Sequence, residues 1–211
     1  MTLIVDQSTI NIQVLFMVNK ETKKALIEKG AEIIYLKGFN NTGINEILEA
    51  ASVPKGSFYY YFKNKEDFGI QLIDHFLVRF LSGADRRLSV TKSSYIERLR
   101  VFFDDFLEFF KGNGFKGGCP IANFSLEMSD LNENIRKRLD TAFDQMNNKI
   151  ALFLEGAVKN GELPEDLDTG LVSNFILNSW EGALLRIKLT RDVYPMKLFY
   201  NFVFQDLLNF N

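Results

Sequence analysis

Apolar positions along this chain recur every three to four residues rather than alternating, so helices are expected throughout. Within residues 41–65, Ile44, Ile47 and Leu48 form one apolar face at helical spacing. Either Thr42 or Gly43 can cap that helix; with Gly43 as the N-cap, Glu46 falls three positions on, where it can close a capping box. Ser52 and Val53 fill a turn, and Pro54 suits the first turn of a second helix, whose missing amide donor is not needed there. That second helix is expected to start near Lys55. On it Phe58, Tyr61 and Phe62 fall at i, i+3 and i+4 and face the core, leaving Lys55, Ser57, Tyr59 and Tyr60 for another surface.

The pattern continues as helix to the end. Residues 65–88 read as a long connecting helix, and Tyr95, Leu99, Phe102, Phe103, Phe106, Phe109 and Phe110 mark a strongly amphipathic one. Glycines within 112–118 interrupt it. A short helix over 120–128 follows, then a long one with Ile135, Leu139, Phe143, Met146, Ile150, Phe153 and Leu154 on a single stripe, ended by Gly161 and Pro164. Two last helices are expected over about 166–189 and 195–209. On the first, Ser179, Gly182 and Ala183 offer a close-contact face; on the second, Phe199, Phe202 and Leu207 offer an apolar stripe.

Composition narrows the function classes. With 211 residues and 46% apolar content the chain can bury one sizeable core or two modest ones, and no stretch is apolar enough to cross a membrane. The opening 1–16 carries Asp6 and lacks a basic leader, so a secretory signal is not expected and the segment is read as a poorly packed extension. One cysteine excludes an internal disulfide and fits a reducing cytoplasm; one histidine, His75, argues against a metal cluster. No Ser-His-Asp, Walker or paired-carboxylate motif is present, so an enzyme is not expected and no cofactor is implied. Residues 17–69 hold eight Lys against seven Asp or Glu, a charge of about +1, so any affinity for nucleic acid must come from placement.

Helix, tight turn and short aromatic helix is the layout of a helix-turn-helix DNA reader. The string GFNNTGINEILEAASVPKGSFYYYFKNKEDF resembles the N-terminal signature of tetracycline-repressor-type (TetR) regulators along its whole length. This resemblance implies an all-α protein: a three-helix, helix-turn-helix DNA-binding domain over 17–66 and a helical ligand-sensing and dimerisation domain over 67–211. Met17 begins a stretch like the usual start of the family, so 1–16 is either a start-site artefact or an extension particular to this chain. The resemblance puts Thr42, Gly43, Asn45, Lys55, Gly56, Ser57, Tyr59, Tyr60 and Lys65 at positions that the family uses on DNA. Thr42, Tyr59 and Lys65 are then expected on phosphates, and Asn45, Lys55, Ser57 and Tyr60 on base edges. Gly56 lets a phosphate backbone approach a helix first turn, where free amides favour anions. The implied partners are double-stranded operator DNA, a second copy paired through the last two helices, and a small-molecule or electrophile inducer. The implied activity is repression in the cytoplasm; a helical adaptor that binds protein, or an enzyme, are the competing classes.

For sensing, Cys119 stands directly before a helix, whose amide end favours a thiolate, and glycines leave its approach open. The segment GGCPIANFSLEMSD resembles the electrophile-responsive, NemR-like branch of the family, as does WEGALLRIKLTR, in which Lys188 is the matching lysine. If Lys188 approaches Cys119, the thiol is further acidified and its modification is expected to release DNA; a buried structural cysteine is the other reading. The alternative trigger is a hydrophobic ligand in a C-terminal pocket, itself implied by the resemblance. Phe106, Phe143, Trp180, Met146 and Phe175 are candidate lining residues, with core packing as their other role.

Overall fold

A computed structural model describes the backbone of residues 7–209 and the side chains of residues 19–209. Among these residues there are helices and connecting turns, and no strand. The chain divides into two units, Met1–Leu72 and Ile73–Asn211, with the boundary inside the connecting helix. The packing expected of side chains 1–16 lies outside the described residues.

In the first unit, α1 (Gln7–Lys37) ends at Gly38, which takes φ 86° while its N–H donates to the Ile34 carbonyl at 2.9 Å. A glycine meets this left-handed stop at no steric cost. Helix α2 (Ile44–Ala50) has Gly43 as its N-cap. The capping box is not what engages Glu46: its carboxylate takes the Lys37 ammonium at 2.6 Å. α2 closes through Ser52 at φ 55°, with the Val53 N–H on the Leu48 carbonyl and the Ser52 N–H on that of Glu49, a Schellman stop built on serine. The second reader helix opens as one 3-10 turn, Lys55–Ser57, before α3 (Phe58–Tyr61), because the Ser57 N–H bonds the Pro54 carbonyl three residues back. Then α4 (Lys65–Leu88) begins. Asn64 accepts from the Asp67 N–H at 2.8 Å, and the Asp67 carboxylate accepts from the Lys63 N–H at 2.9 Å, which holds its carboxyl below the usual range.

The interior of this unit is aromatic. Phe58, Phe62 and Phe68 are at most 1% exposed and their ring centroids lie 4.9–5.5 Å apart; Leu26, Ile47 and Leu48 are buried as well. Tyr61 is half-buried rather than enclosed, because its hydroxyl donates outward to Asn19 on α1. Gly30 is where α1 meets α4: a Cβ there would sit 2.4 Å from the Phe68 ring.

The second unit contains the rest of α4 and α5 (Tyr95–Gly112), α6 (Pro120–Met128), α7 (Glu133–Lys159), α8 (Thr169–Thr190) and α9 (Tyr194–Asn201). The last of these runs into a π-helical turn, Phe202–Leu207. That turn corrects the expected uninterrupted helix over 195–209; its wider step keeps Val203 and Leu208, five residues apart, both inside. Phe202 and Leu207 do not share the burial of Phe199, since Phe202 is 63% exposed and Leu207 half-buried. On α5 the buried stripe includes Leu107, while Phe109 turns out to be exposed, one position off the inward face. Glu162 caps α5, accepting from the Tyr95 and Ile96 N–H groups at 2.9 and 3.1 Å. Ion pairs fasten α4 within this unit: Asp74 with Arg138 and Asp85 with Lys149 on α7, and Arg87 with Asp105 on α5. Trp180, Phe102, Phe103 and Phe153 are at most 1% exposed and form the centre of the core.

Gly30→Ala tests the close approach of α1 and α4. Helix propensity favours alanine by about 1 kcal/mol, whereas displacing a fully buried ring costs about 1–3 kcal/mol. A net loss of stability in denaturant unfolding is expected; a gain of the full propensity term would show that Phe68 yields freely.

Candidate nucleic-acid interface and regulatory cluster

The reader residues fall into three groups by their surroundings. Gly43, Asn45, Lys55, Gly56, Tyr59 and Tyr60 are exposed, with Tyr59 at 67% and Tyr60 at 71%, and a Cβ at Gly43 or Gly56 would meet nothing within 4 Å. Ser57 and Lys65 are half-buried. The Lys65 ammonium donates to the Phe39 carbonyl at 2.8 Å and lies 4.6 Å from the Phe39 ring centroid, so it first of all braces the loop after α1. Thr42 is the correction: it is fully buried, and its hydroxyl donates to the Gly38 carbonyl at 2.8 Å. A side chain so placed holds the loop and offers no surface to a phosphate. Asn19, which sequence reasoning missed, donates to the Tyr60 hydroxyl at 3.2 Å and accepts from that of Tyr61 at 3.3 Å, fixing the exposed aromatic edge from α1. No local pattern marks that residue, since its partners lie about forty positions away.

In the second unit, one face of α8 meets the loop that leads into α6. Glu181 and Lys188 lie seven residues apart on one face of α8, and Arg191 is its C-cap at φ 54°. The Arg191 guanidinium donates to the Gly114 and Phe115 carbonyls. Lys188 donates to Asn123 Oδ1 at 3.3 Å, and Asn123 Nδ2 donates to the Gly117 carbonyl at 2.8 Å. The Glu181 carboxylate acts electrostatically on the thiol of Cys119, the N-cap of α6. Lys188, expected near Cys119, donates to Asn123, and the charge that acts on the thiol is that of Glu181.

This changes the chemistry of Cys119. Burial and then the Glu181 charge push its thiol well above the ordinary range, while the Ile121 and Ala122 amides at the start of α6 pull the other way and lose. The expected helix-end effect is present, but desolvation outweighs it. Cys119 is 5% exposed and rests as a neutral thiol. Burial likewise raises the Glu181 carboxyl to about 7. Among the sensing candidates Trp180 is fully buried, its indole Nε1 has no hydrogen-bond partner, and Phe106 packs against it at 5.2 Å between ring centroids. Phe106 and Phe143 are half-buried, and Phe175 is 53% exposed on the outer side of α8. His75 is half-buried, with its ring 5.8 Å from that of Phe76. Among the described residues no group of His, Cys, Asp and Glu could hold a metal ion, and no helix is long and apolar enough to cross a membrane.

A helix-turn-helix unit followed by a separate helical unit defines a DNA-binding regulator. Residues 26–70 match the bacterial regulatory proteins of the tetR family, and residues 96–203 the tetracyclin repressor-like C-terminal domain; the chain belongs to the TetR family. Regulators of this family bind operator DNA and act as dimers, and they are transcriptional regulators rather than enzymes. The transcriptional repressor DhaR of Mycobacterium sp. is 32% identical over 91% of this chain and 95% of its own length. The transcriptional regulator AcuR of Cereibacter sphaeroides is 35% identical over 83% of this chain and 80% of its own. The crystal structure of the reduced form of Escherichia coli NemR matches with a TM-score of 0.80 at 27% identity, over 87% of this chain and 95% of that one.

A raised carboxyl has a definite linkage sign. The unfolded Glu181 ionises from its ordinary value of 4.5 while the folded residue keeps its proton to about 7, so stability present below that window is lost as pH rises through it. Glu181→Gln removes this loss. The variant should match the wild type near pH 4 and exceed it by about 1–3 kcal/mol near pH 8 in chemical unfolding. Equal stability at both pH values would show that the carboxylate is not desolvated.

Proposed function

We propose that this chain is a homodimeric repressor that reads its operator through Asn45, Lys55, Ser57 and Tyr60 on base edges and Tyr59 on phosphate. Gly43 and Gly56 admit the sugar-phosphate backbone closely, and Lys65 contributes charge while bracing the reader loop. Thr42 acts from behind, holding the loop through Gly38. The observation that carries this reading is the exposed edge of α3: two neighbouring tyrosines stand in solvent above a fully buried phenylalanine cluster, with Tyr60 oriented from α1 by Asn19. Adjacent exposed aromatics on a rigid support form the kind of patch that marks an interaction surface.

Pairing of two copies is assigned to the outer faces of α8 and α9. Phe175, Tyr194, Leu198 and Phe202 are 42–63% exposed there around a groove that Ser179 and Gly182 also line. A Cβ on Gly182 would meet nothing within 4 Å, so a second helix can come close. Two readers held by one interface engage half-sites about one DNA turn apart, and each added phosphate contact strengthens binding that a weakly basic reader lacks alone.

The trigger is assigned to Cys119, by reaction with an electrophile. Glycines flank its approach and the α8 stripe grips its loop, so an adduct at the sulfur strains contacts made by the same helix that forms the pairing face. A non-covalent inducer beside Trp180 is the second reading, favoured by its buried and unpartnered indole N–H.

Operator binding by fluorescence anisotropy tests the reader and the interface together. Lys55→Ala should cost about 1–3 kcal/mol on the specific site and little on unrelated DNA. Phe202→Glu should give monomers in sedimentation and lose operator binding with an intact circular-dichroism spectrum. Unchanged binding by both variants would overturn the assignment.

A further inference from the structure

One side chain of α1 gives two neighbouring tyrosines of the reader helix opposite hydrogen-bonding roles. Asn19, Lys23, Leu26 and Gly30 follow at i, i+4, i+7 and i+11, which is one face of α1. That face is pinned by its packing: Leu26 is fully buried, a Cβ on Gly30 would strike the Phe68 ring, and the Lys23 ammonium lies 5.6 Å from the Phe62 ring centroid. The register of α1 therefore delivers Asn19 to the edge of α3. Its Nδ2 donates to the Tyr60 hydroxyl at 3.2 Å, and its Oδ1 accepts from the Tyr61 hydroxyl at 3.3 Å. The two rings meet edge to face, with 4.9 Å between centroids at 85°.

An amide carries its acceptor and its donors on different arms, so one asparagine cannot serve two phenols in the same sense. Burial decides which phenol takes which arm. Tyr61 is half-buried, where a hydroxyl proton without an acceptor is costly, and it gives that proton to Oδ1. Tyr60 is 71% exposed and receives a proton from Nδ2, so its own remains for a group outside the protein. A phenol oxygen is conjugated with its ring and has one good in-plane acceptor direction, which Asn19 takes.

We propose that Asn19 is a positioning residue that sets what Tyr60 reads: with Nδ2 on its oxygen, the Tyr60 hydroxyl presents a proton to the major groove and selects a base whose edge carries an acceptor. This rests on the reading of Tyr60 as a base-edge residue. In the major groove guanine offers N7 and O6, adenine N7 and thymine O4, whereas cytosine offers only its N4 amino donor. Cytosine is therefore the base that the contacted position rejects, because two donors would face each other with no acceptor between them. A phosphate oxygen would accept the same proton, but it is present in every sequence and gives no discrimination. Base selectivity at this position thus originates in a residue that does not itself reach the base.

The test is binding of the full-length protein to operator DNA from upstream of its own gene, with each half-site position substituted in turn by every base. Wild type, Tyr60→Phe, Asn19→Asp and Asn19→Ala are compared. Wild type should reject cytosine by about tenfold at one position of each half-site, and Tyr60→Phe should lose that preference and no other. Asn19→Asp has two acceptors and no donor, so Tyr60 spends its proton on the carboxylate and turns its oxygen outward; cytosine should become the favoured base at that position. The added negative charge repels phosphates alike in every sequence and lowers affinity without reordering the bases. Asn19→Ala should flatten the preference to within about threefold and leave the other positions as they are. Asn19 variants that change every sequence by one factor, or that keep the rejection of cytosine while Tyr60→Phe abolishes it, overturn the role of Asn19 and leave Tyr60 as a base reader. Wild type that favours cytosine where Tyr60→Phe has no preference reverses the amide and overturns the proposal. Tyr60→Phe that weakens all sequences alike puts Tyr60 on phosphate and overturns it as well. Wild type without any sequence preference overturns the operator-reading function itself.

Discussion

The regulatory unit depends on one constraint: α8 must present Glu181 and Lys188 on one face, and Arg191 from its C-cap, to the loop before α6 while keeping Phe175, Ser179 and Gly182 on its outer side. A helix separates such faces by its periodicity alone, since positions seven residues apart return to the same side. The loop it grips is rich in glycine and has few side chains of its own to pack, so its carbonyls are held by side chains from other helices. Arg191 and Asn123 do this at Gly114, Phe115 and Gly117. These polar residues thus anchor the Cys119 loop from the helix whose other face carries exposed Phe175.

At Cys119 opposing effects meet and their order decides the chemistry. The amides of Ile121 and Ala122 stabilise a thiolate, as any helix start does for an anion. Removing the sulfur from water and setting a carboxylate against it are stronger, and the resting state is neutral. A neutral thiol is protected from casual oxidation, which requires the thiolate. The reader unit solves a different problem by similar means. Its exposed tyrosines are kept in place by a buried phenylalanine cluster beneath and by Asn19 from the side.

What was legible in the sequence was whatever is encoded locally. The spans of α4, α5 and α6 followed from periodic apolar runs, and the reader string was specific enough to indicate the family. Features set by distant residues were not legible. Thr42 reads as an exposed helix start until the Gly38 carbonyl is found above it. Lys188 reads as the partner of Cys119 until Asn123 intervenes, and Glu181 was passed over although its spacing of seven from Lys188 puts both on one face. Phe109 and the π turn after α9 depend on where neighbouring helices lie, which hydrophobic period alone does not fix.

The central claim is that chemistry at Cys119 governs hold on DNA. The most direct measurement is operator release: reduced wild type and Cys119→Ser, each bound to DNA from the upstream region of its own gene, are treated with a conjugated carbonyl electrophile. The account predicts that wild type lets go and the serine variant stays bound. Release of both, or retention of both, would contradict it and move the trigger to a ligand that does not touch the thiol.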